Sequence, residues 1–235
     1  MPNIVILTGA GCSVESGITT FRDSNGLWEN HRIEDVASPA GFRKNPNLVH
    51  KFYNARRAQL QTVEPNAAHY ALAKLEQEWE GNGSFLLISQ NVDNLHERAG
   101  SVKLIHMHGE LTKIRCTDCG KDERCVVDVT DQFICTSCSK IGTMRPDIVW
   151  FGEVPFGLRT ISDYLMTADI FVSIGTSGVV APASLFVEQV LQNGRGCRTI
   201  EINPNPTIEG YFGRVIAEPA TVGVPKLVED LIEEY

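Results

Sequence analysis

The stretch Asn3-Ile4-Val5-Ile6-Leu7-Thr8-Gly9-Ala10-Gly11-Cys12-Ser13 decides how the rest of the chain is read. Residues 3–7 are mostly apolar and β-branched at consecutive positions, as in a strand covered on both faces, and they run straight into a glycine turn. Short runs of the same kind return at 85–89, 103–106, 170–175, 198–202 and 215–217. Among them lie helical patterns at 47–61, 66–80, 183–192 and 225–234, with apolar residues three and four apart and Pro at or just before each start. Strands alternating with helices predict an α/β fold, a Rossmann-like parallel sheet with ligands at the carboxyl ends of its strands.

Two segments break the alternation. Residues 24–64 are mostly helical between the first two strands, and residues 110–145 carry two cysteine pairs. Both read as insertions, one helical and one a zinc-binding module, that together make a smaller lobe. The larger lobe is then 1–23, 65–109 and 146–235, within a single domain covering 1–235.

Of the 235 residues, 43% are hydrophobic and 21% charged, which suffices for a sizeable core and argues against general disorder. The 21 basic and 29 acidic residues leave a net charge of −8, so a broad surface for nucleic-acid phosphates is disfavoured and any anion site must be local. The first residues contain no basic leader. The longest apolar candidate for a span, 170–187, is interrupted by Ser173, Gly175, Thr176, Ser177, Gly178 and Pro182. Neither a signal peptide nor a membrane segment is expected, and a cytoplasmic location is the default.

The cysteine spacing is specific. Cys116-x2-Cys119 and Cys135-x2-Cys138 are separated by fifteen residues, so each pair can place two thiolates on one turn and a hairpin can join them into a tetrahedral zinc site. With all four positions filled by sulfur, the metal is expected to be structural. Seven cysteines in all, an odd number, fit a metal in a reducing compartment better than a disulfide scaffold. Zinc ribbons also bind nucleic acid, but the six basic and six acidic residues of 110–145 cancel and the thiolates add negative charge. Nucleic-acid binding is therefore not expected. Cys125 and Cys197 are expected to be small buried residues.

Gly9-Ala10-Gly11-Cys12-Ser13 allows a backbone to approach a pyrophosphate whose charge is met by amides at a helix start. Val14 stands where a dehydrogenase fingerprint has its third glycine. The same glycines also suit a tight turn with no ligand. Further polar clusters end later strands: Gln90-Asn91-Val92-Asp93, His106-Met107-His108-Gly109, Gly175-Thr176-Ser177 and Asn203-Pro204-Asn205. In a parallel sheet these ends face one crevice, so their groups would converge on one ligand. Each cluster alone also suits a turn or a structural histidine, and alternation puts His106 and His108 on one strand face without choosing between them.

Together the residues resemble a family. Gly-Ala-Gly-Cys-Ser at 9–13, Gly17-Ile18-Thr19-Thr20-Phe21-Arg22, Gln90-Asn91-Val92-Asp93, His108-Gly109, the four cysteines, Val149-Trp150-Phe151-Gly152-Glu153 and Gly175-Thr176-Ser177 follow in the order found in sirtuins. Nearly the whole chain takes part, and it most resembles the bacterial, class III-like NAD-dependent protein lysine deacylases. The family usually has proline where Thr19 stands and an aliphatic residue where Cys12 stands. Neither departure removes a group needed for chemistry.

The resemblance implies that NAD, the cosubstrate, lies across the carboxyl edge of the sheet. Gly9, Ala10, Gly11, Ser13, Phe21 and Arg22 would belong to the loop holding its phosphates. Gln90, Asn91, Val92 and Asp93 would line the ribose and nicotinamide pocket, and Gly175, Thr176, Ser177, Asn203, Pro204, Asn205 and Ala220 the adenosine half. His108 would be the general base. By the same likeness the acyl-lysine oxygen attacks C1′ of the nicotinamide ribose, nicotinamide leaves, and His108 helps the 2′-hydroxyl attack the imidate. The products are free lysine, nicotinamide and 2′-O-acyl-ADP-ribose. Val149, Trp150, Phe151, Gly152 and Glu153 resemble the strand that pairs with an acyl-lysine protein or peptide, largely through main-chain hydrogen bonds.

Tyr53 and Arg56, three apart on an expected helix, share a face. Class III sirtuins have this pair in the acyl pocket, with a small residue where Ala37 stands, and a phenol and guanidinium there could bind the carboxylate of succinyl- or malonyl-lysine. The segment 31–65 has six basic residues against three acidic ones. A helix-capping or solvated Arg56 is the competing reading of the spacing alone. For the whole chain the expected activity is NAD-dependent deacylation of lysine, acetyl and also succinyl or malonyl, by a chain assumed monomeric. The alternatives are mono-ADP-ribosyl transfer and noncatalytic binding of NAD or ADP-ribose.

Overall fold

The computed structural model describes residues 2–19, 27–178, 180–206 and 210–235. Strand β1 (Ile4–Thr8) enters two short 3-10 turns, Ala10–Cys12 and Val14–Ser16. A small hairpin of β2 (Leu27–Trp28) and β3 (His31–Arg32) precedes α1 (Ile33–Val36), α2 (Pro39–Lys44), α3 (Pro46–Gln59) and α4 (Ala67–Glu78). Next come β4 (Phe85–Ser89), α5 (Leu95–Ala99) and β5 (Leu104–His106). β6 (Gly109–Cys116), β7 (Asp122–Arg124) and β8 (Met144–Ile148) form a separate antiparallel sheet. The chain ends with α6 (Leu158–Thr167), β9 (Ile170–Ile174), α7 (Phe186–Leu191), β10 (Arg198–Ile202), β11 (Arg214–Ile216) and α8 (Ala220–Glu234).

All six apolar runs join one parallel sheet, ordered β11-β10-β9-β1-β4-β5. The runs are continuously apolar because both faces are covered. Ile4, Ile6, Phe85, Leu87, Val172, Ile200 and Ile202 pack on one face with Leu72 and Leu75 of α4, Trp79 just after it, and Val224, Leu227 and Leu231 of α8. Val5, Leu7, Leu86, Ile88 and Phe171 pack on the other with Ile161 and Leu165 of α6 and Phe186, Val187 and Val190 of α7. A third core joins Val36, Val49, Phe52, Tyr53 and Leu60 of the helical segment to Leu95, Leu111, Ile148 and Trp150. A fourth, with Ile114, Cys116, Cys125, Val129, Cys135 and Met144, lies inside the cysteine module.

Helix placement differs from the sequence reading in identifiable ways. The pattern at 225–234 is the end of α8, which starts at Ala220; Pro225 is inside it, in the second turn. Pro219, with extended backbone, is the residue that precedes this start. The run 183–192 divides into a 3-10 turn, Ala183–Leu185, and α7. α6 was not expected, although Leu158, Ile161 and Leu165 have helical spacing; Gly157, at φ +69°, opens it.

β1 has β4 on one side and β9 on the other, so strand order reverses there and the crevice opens at the ends of β1 and β9. The backbones of the turns after these strands come into direct contact. Gly9 N–H donates to Ile174 O, and Gly11 N–H donates to Gly175 O, each at 2.9 Å. A Cβ on Gly175 would lie 2.6 Å from both Cys12 N and Gly11 C, at φ +60°. Gly175→Ala should therefore lose about 1–3 kcal/mol of stability. Gly81→Ala, at φ +80° but with nothing within 4 Å of the added carbon, should lose less. Chemical denaturation of both variants measures the difference, and equal losses would remove the contact from the account.

Candidate active site and metal centre

The strand ends enclose a cavity of about 1100 Å³. Gly9, Ala10, Gly11, Ser13, Gln90, Asn91, Val92, Asp93 and His108 line it, as do Gly175, Thr176, Ser177, Asn203, Pro204 and Asn205. Ala220 does not; it is 3% exposed and packs with Ile202 and Val224, because its side chain turns into the core while neighbouring Pro219 borders the cavity. Phe21 and Arg22 lie outside the described residues.

The cavity floor is a hydrogen-bonded polar cluster. Asn91 Nδ2 donates to Gly9 O and Ser13 Oγ, both at 3.1 Å. Ser13 Oγ donates to Asp93 Oδ2 at 3.0 Å, and Leu95 N–H donates to Asp93 Oδ1 at 3.1 Å. Burial raises the Asp93 pKa above its ordinary value, while these two bonds favour the carboxylate. On the β9 side Asn203 Nδ2 donates to Thr176 O at 2.8 Å, joining the third and fourth clusters.

The two histidines separate once the fold is known. β5 ends at His106, so alternation does not extend to His108. His106 Nε2 is 2.7 Å from Glu97 Oε1 and its Nδ1 is 3.3 Å from Asn91 O. Burial opposes its charge, but the Glu97 bond and charge carry its pKa above the ordinary value. His108 lines the cavity, and its Nδ1 is 3.0 Å from Gln90 O. A carbonyl only accepts, so Nδ1 carries the proton and the Nε2 lone pair is available. Burial lowers the His108 pKa below 6.5 against that bond, favouring a neutral imidazole at pH 7.

The opposite wall carries Ala37, Tyr53, Arg56 and residues 149–153. Trp150 Nε1 donates to Tyr53 Oη at 2.9 Å, which occupies a phenol lone pair and leaves its O–H to donate elsewhere. Arg56 Nη1 is 3.3 Å from Glu29 Oε2, outside hydrogen-bond geometry, and Arg56 Nε and Nη1 have no hydrogen-bond partner. Glu153 is a framework residue in this geometry: Arg145 grips both carboxylate oxygens at 2.6 and 2.9 Å, and Trp150 N–H donates to one of them. The Arg145 guanidinium stacks 3.4 Å from the Trp150 ring centre. Val149 N–H donates to His108 O, and Phe151 N–H to Ala37 O. Sequence reasoning missed Glu29 and Arg145, since each acts through a residue distant in the chain.

In the cysteine module the sulfurs of Cys116 and Cys138 are 3.8 Å apart, and those of Cys119 and Cys135 3.7 Å. A disulfide needs about 2.05 Å. Thiolates about 2.3 Å from zinc form a tetrahedron with edges of about 3.8 Å, so these residues fit zinc with no position left for a reactant. Asp118 N–H donates to Cys116 Sγ, and Thr143 Oγ1 is 3.2 Å from the same sulfur. Cys125 packs in this module, and Cys197 in a core of the main sheet.

The Sir2 family model matches residues 9–182, and the chain belongs to the Sir2 family. An NAD-dependent protein deacylase of Vibrio vulnificus is 52% identical over 233 residues, covering 98% of this chain and 94% of that protein. An Escherichia coli protein of the same description is 50% identical over 235 residues, covering 99% and 83%. Among solved structures, a Sir2 homolog–NAD complex is 38% identical, with a TM-score of 0.87, and covers 98% of this chain and 89% of its own. A Sir2 complex with p53 peptide and NAD+ is 28% identical, with a TM-score of 0.78, and covers 98% and 92%. No described helix is long and apolar enough to cross a membrane.

The cysteine geometry predicts one tightly held zinc per chain as purified. Cys135→Ser should lose that metal and melt the module first, with protease cleavage concentrated in 116–143. Elemental analysis and limited proteolysis check this, and full zinc retention by the variant would contradict it.

Proposed function

We propose that the chain is an NAD-dependent protein lysine deacylase that removes acetyl groups and also the acidic succinyl and malonyl groups. The observation that carries this is His108, held through Nδ1 by Gln90 O, in the cavity that joins the two glycine turns to the 149–153 segment. The names of relatives at about half identity over almost the full chain support the same reaction class.

NAD supplies a ribose C1′ with nicotinamide as leaving group and a 2′-hydroxyl that takes the acyl group. The chain's residues bind, orient and move a proton. The amides and glycines of 9–13 would hold the phosphates, and Thr176, Ser177 and Asn203 the adenosine half. Asn91 and Asp93, fixed through Ser13, shape the nicotinamide and ribose end. Nε2 of His108 accepts the ribose hydroxyl proton, while Nδ1–H stays on Gln90 O and holds the ring in one tautomer. The backbone of 149–153 pairs with the substrate peptide, and the acyl chain enters between Ala37 and Tyr53. Arg56 then exchanges its loose contact with Glu29 for the acyl carboxylate, and the Tyr53 O–H donates to the same group. Protein substrates and a cytoplasmic setting complete the reading, with residues 24–64 and 110–145 as the lobe opposite the sheet.

Nicotinamide release measured with NAD and matched acetyl- and succinyl-lysine peptides tests the roles. His108→Ala should lose about 10²–10⁴-fold on both substrates. Arg56→Met should lose about 10–100-fold on succinyl-lysine, the range of a charged hydrogen bond, and much less on acetyl-lysine. Equal losses on the two peptides would remove the carboxylate role. Because the base works in its neutral form and its pKa is lowered by burial, kcat/KM should rise with pH along an acid limb centred below 6.5. A limb centred above that value would count against His108.

A further inference from the structure

Behind the cofactor turn, on the side away from the cavity, Cys12, His69 and His96 meet. Their relative exposures are 0%, 0% and 1%. One potential ligand atom from each lies within 4.8 Å of the other two, and the imidazole ring centres are 4.7 Å apart. Each ring is held by one nitrogen only. His96 Nε2 is 3.0 Å from Thr8 Oγ1, and His69 Nδ1 accepts from Asn66 N–H at 3.2 Å. The remaining nitrogens, His96 Nδ1 and His69 Nε2, are buried without a hydrogen-bond partner. Two orphaned ring nitrogens beside a thiol are costly in a packed interior unless something binds them.

The geometry points to a second metal site, formed by Cys12 Sγ, His69 Nε2 and His96 Nδ1, that takes zinc or another borderline-soft divalent ion. One thiolate and two imidazoles are a preferred donor set for such ions, and the Thr8 hydroxyl can accept from His96 Nε2–H as an outer partner, whereas the Asn66 contact to His69 Nδ1 has the opposite polarity. Three protein ligands leave a fourth position for water. Binding releases the thiol proton to solvent, so a dication leaves one positive charge, which the nearby carboxylates of Asp93 and Glu15 offset.

Coordination has a defined structural consequence. A neutral His69 bound through Nε2 carries its proton on Nδ1, which opposes the Asn66 N–H now donating there. Uptake therefore breaks one bond of the cap that starts α4. The Asn66 side chain also donates to Cys12 O at 2.9 Å and Ser16 Oγ at 3.0 Å, so the change reaches the cofactor turn directly.

Native mass spectrometry of the zinc-loaded protein, titrated with further zinc, reads the site directly. The unmodified chain should take up a second ion, while Cys12→Val and His96→Ala should stop at the one held by the four-cysteine module. Cobalt added to the zinc-loaded protein should give thiolate-to-metal absorption that Cys12→Val lacks. Circular dichroism verifies that each variant is folded, and Cys12→Val retains a side chain of suitable size for the core. A second ion in the variants as well, or none in the unmodified chain, would overturn the proposal.

Discussion

The structure depends on a backbone-to-backbone contact in which Gly9 and Gly11, after β1, press against Gly175, after β9. No side chain fits between these turns, and the contact lies at the point where strand order reverses. It brings two sets of loop amides to one line along the sheet edge. Asn91, after β4, donates to Gly9 O and adds a third strand end to the same assembly. The floor of the cavity is thus fixed by main-chain geometry together with the bonded side chains of Asn91, Ser13 and Asp93.

A second constraint sets the reacting wall. β6 begins at Gly109, directly after His108, and ends at Cys116; β8 begins at Met144, after Cys138, and leads into Val149. The two strands pair with Gly109 opposite Ile148 and Cys116 opposite Met144. A Cβ on Gly109 would lie 2.0 Å from Asp147 O, so the strands approach closely at the cavity end. The four cysteines secure the far end of the ribbon whose near end carries His108 and the cavity-lining segment 149–153. A metal with no open position can therefore influence catalysis by holding a register.

Much of this was legible in local sequence. The six strand runs were visible because two-sided burial makes them continuously apolar, and the zinc ligands were visible because chelation requires short, fixed spacing. The extent of α8 was hidden, since Pro225 resembles a helix start and only packing against α4 shows that it lies in the second turn. His106 and His108 could not be ranked by periodicity because the strand ends between them. Glu29 facing Arg56, and Arg145 gripping Glu153 under Trp150, are tertiary pairings with no local signature. Asn66 is similar: it caps α4, and its hold on Cys12 and Ser16 has no local signature.

The central claim is that this crevice couples acyl-lysine to NAD cleavage instead of hydrolysing the acyl group with water. The direct measurement is the mass of the acyl product when a succinyl-lysine peptide is incubated with the protein, with and without NAD. The account predicts one nicotinamide and one succinyl-ADP-ribose for each lysine freed, and no free lysine without NAD. Succinate released at the same rate in both reactions would contradict it.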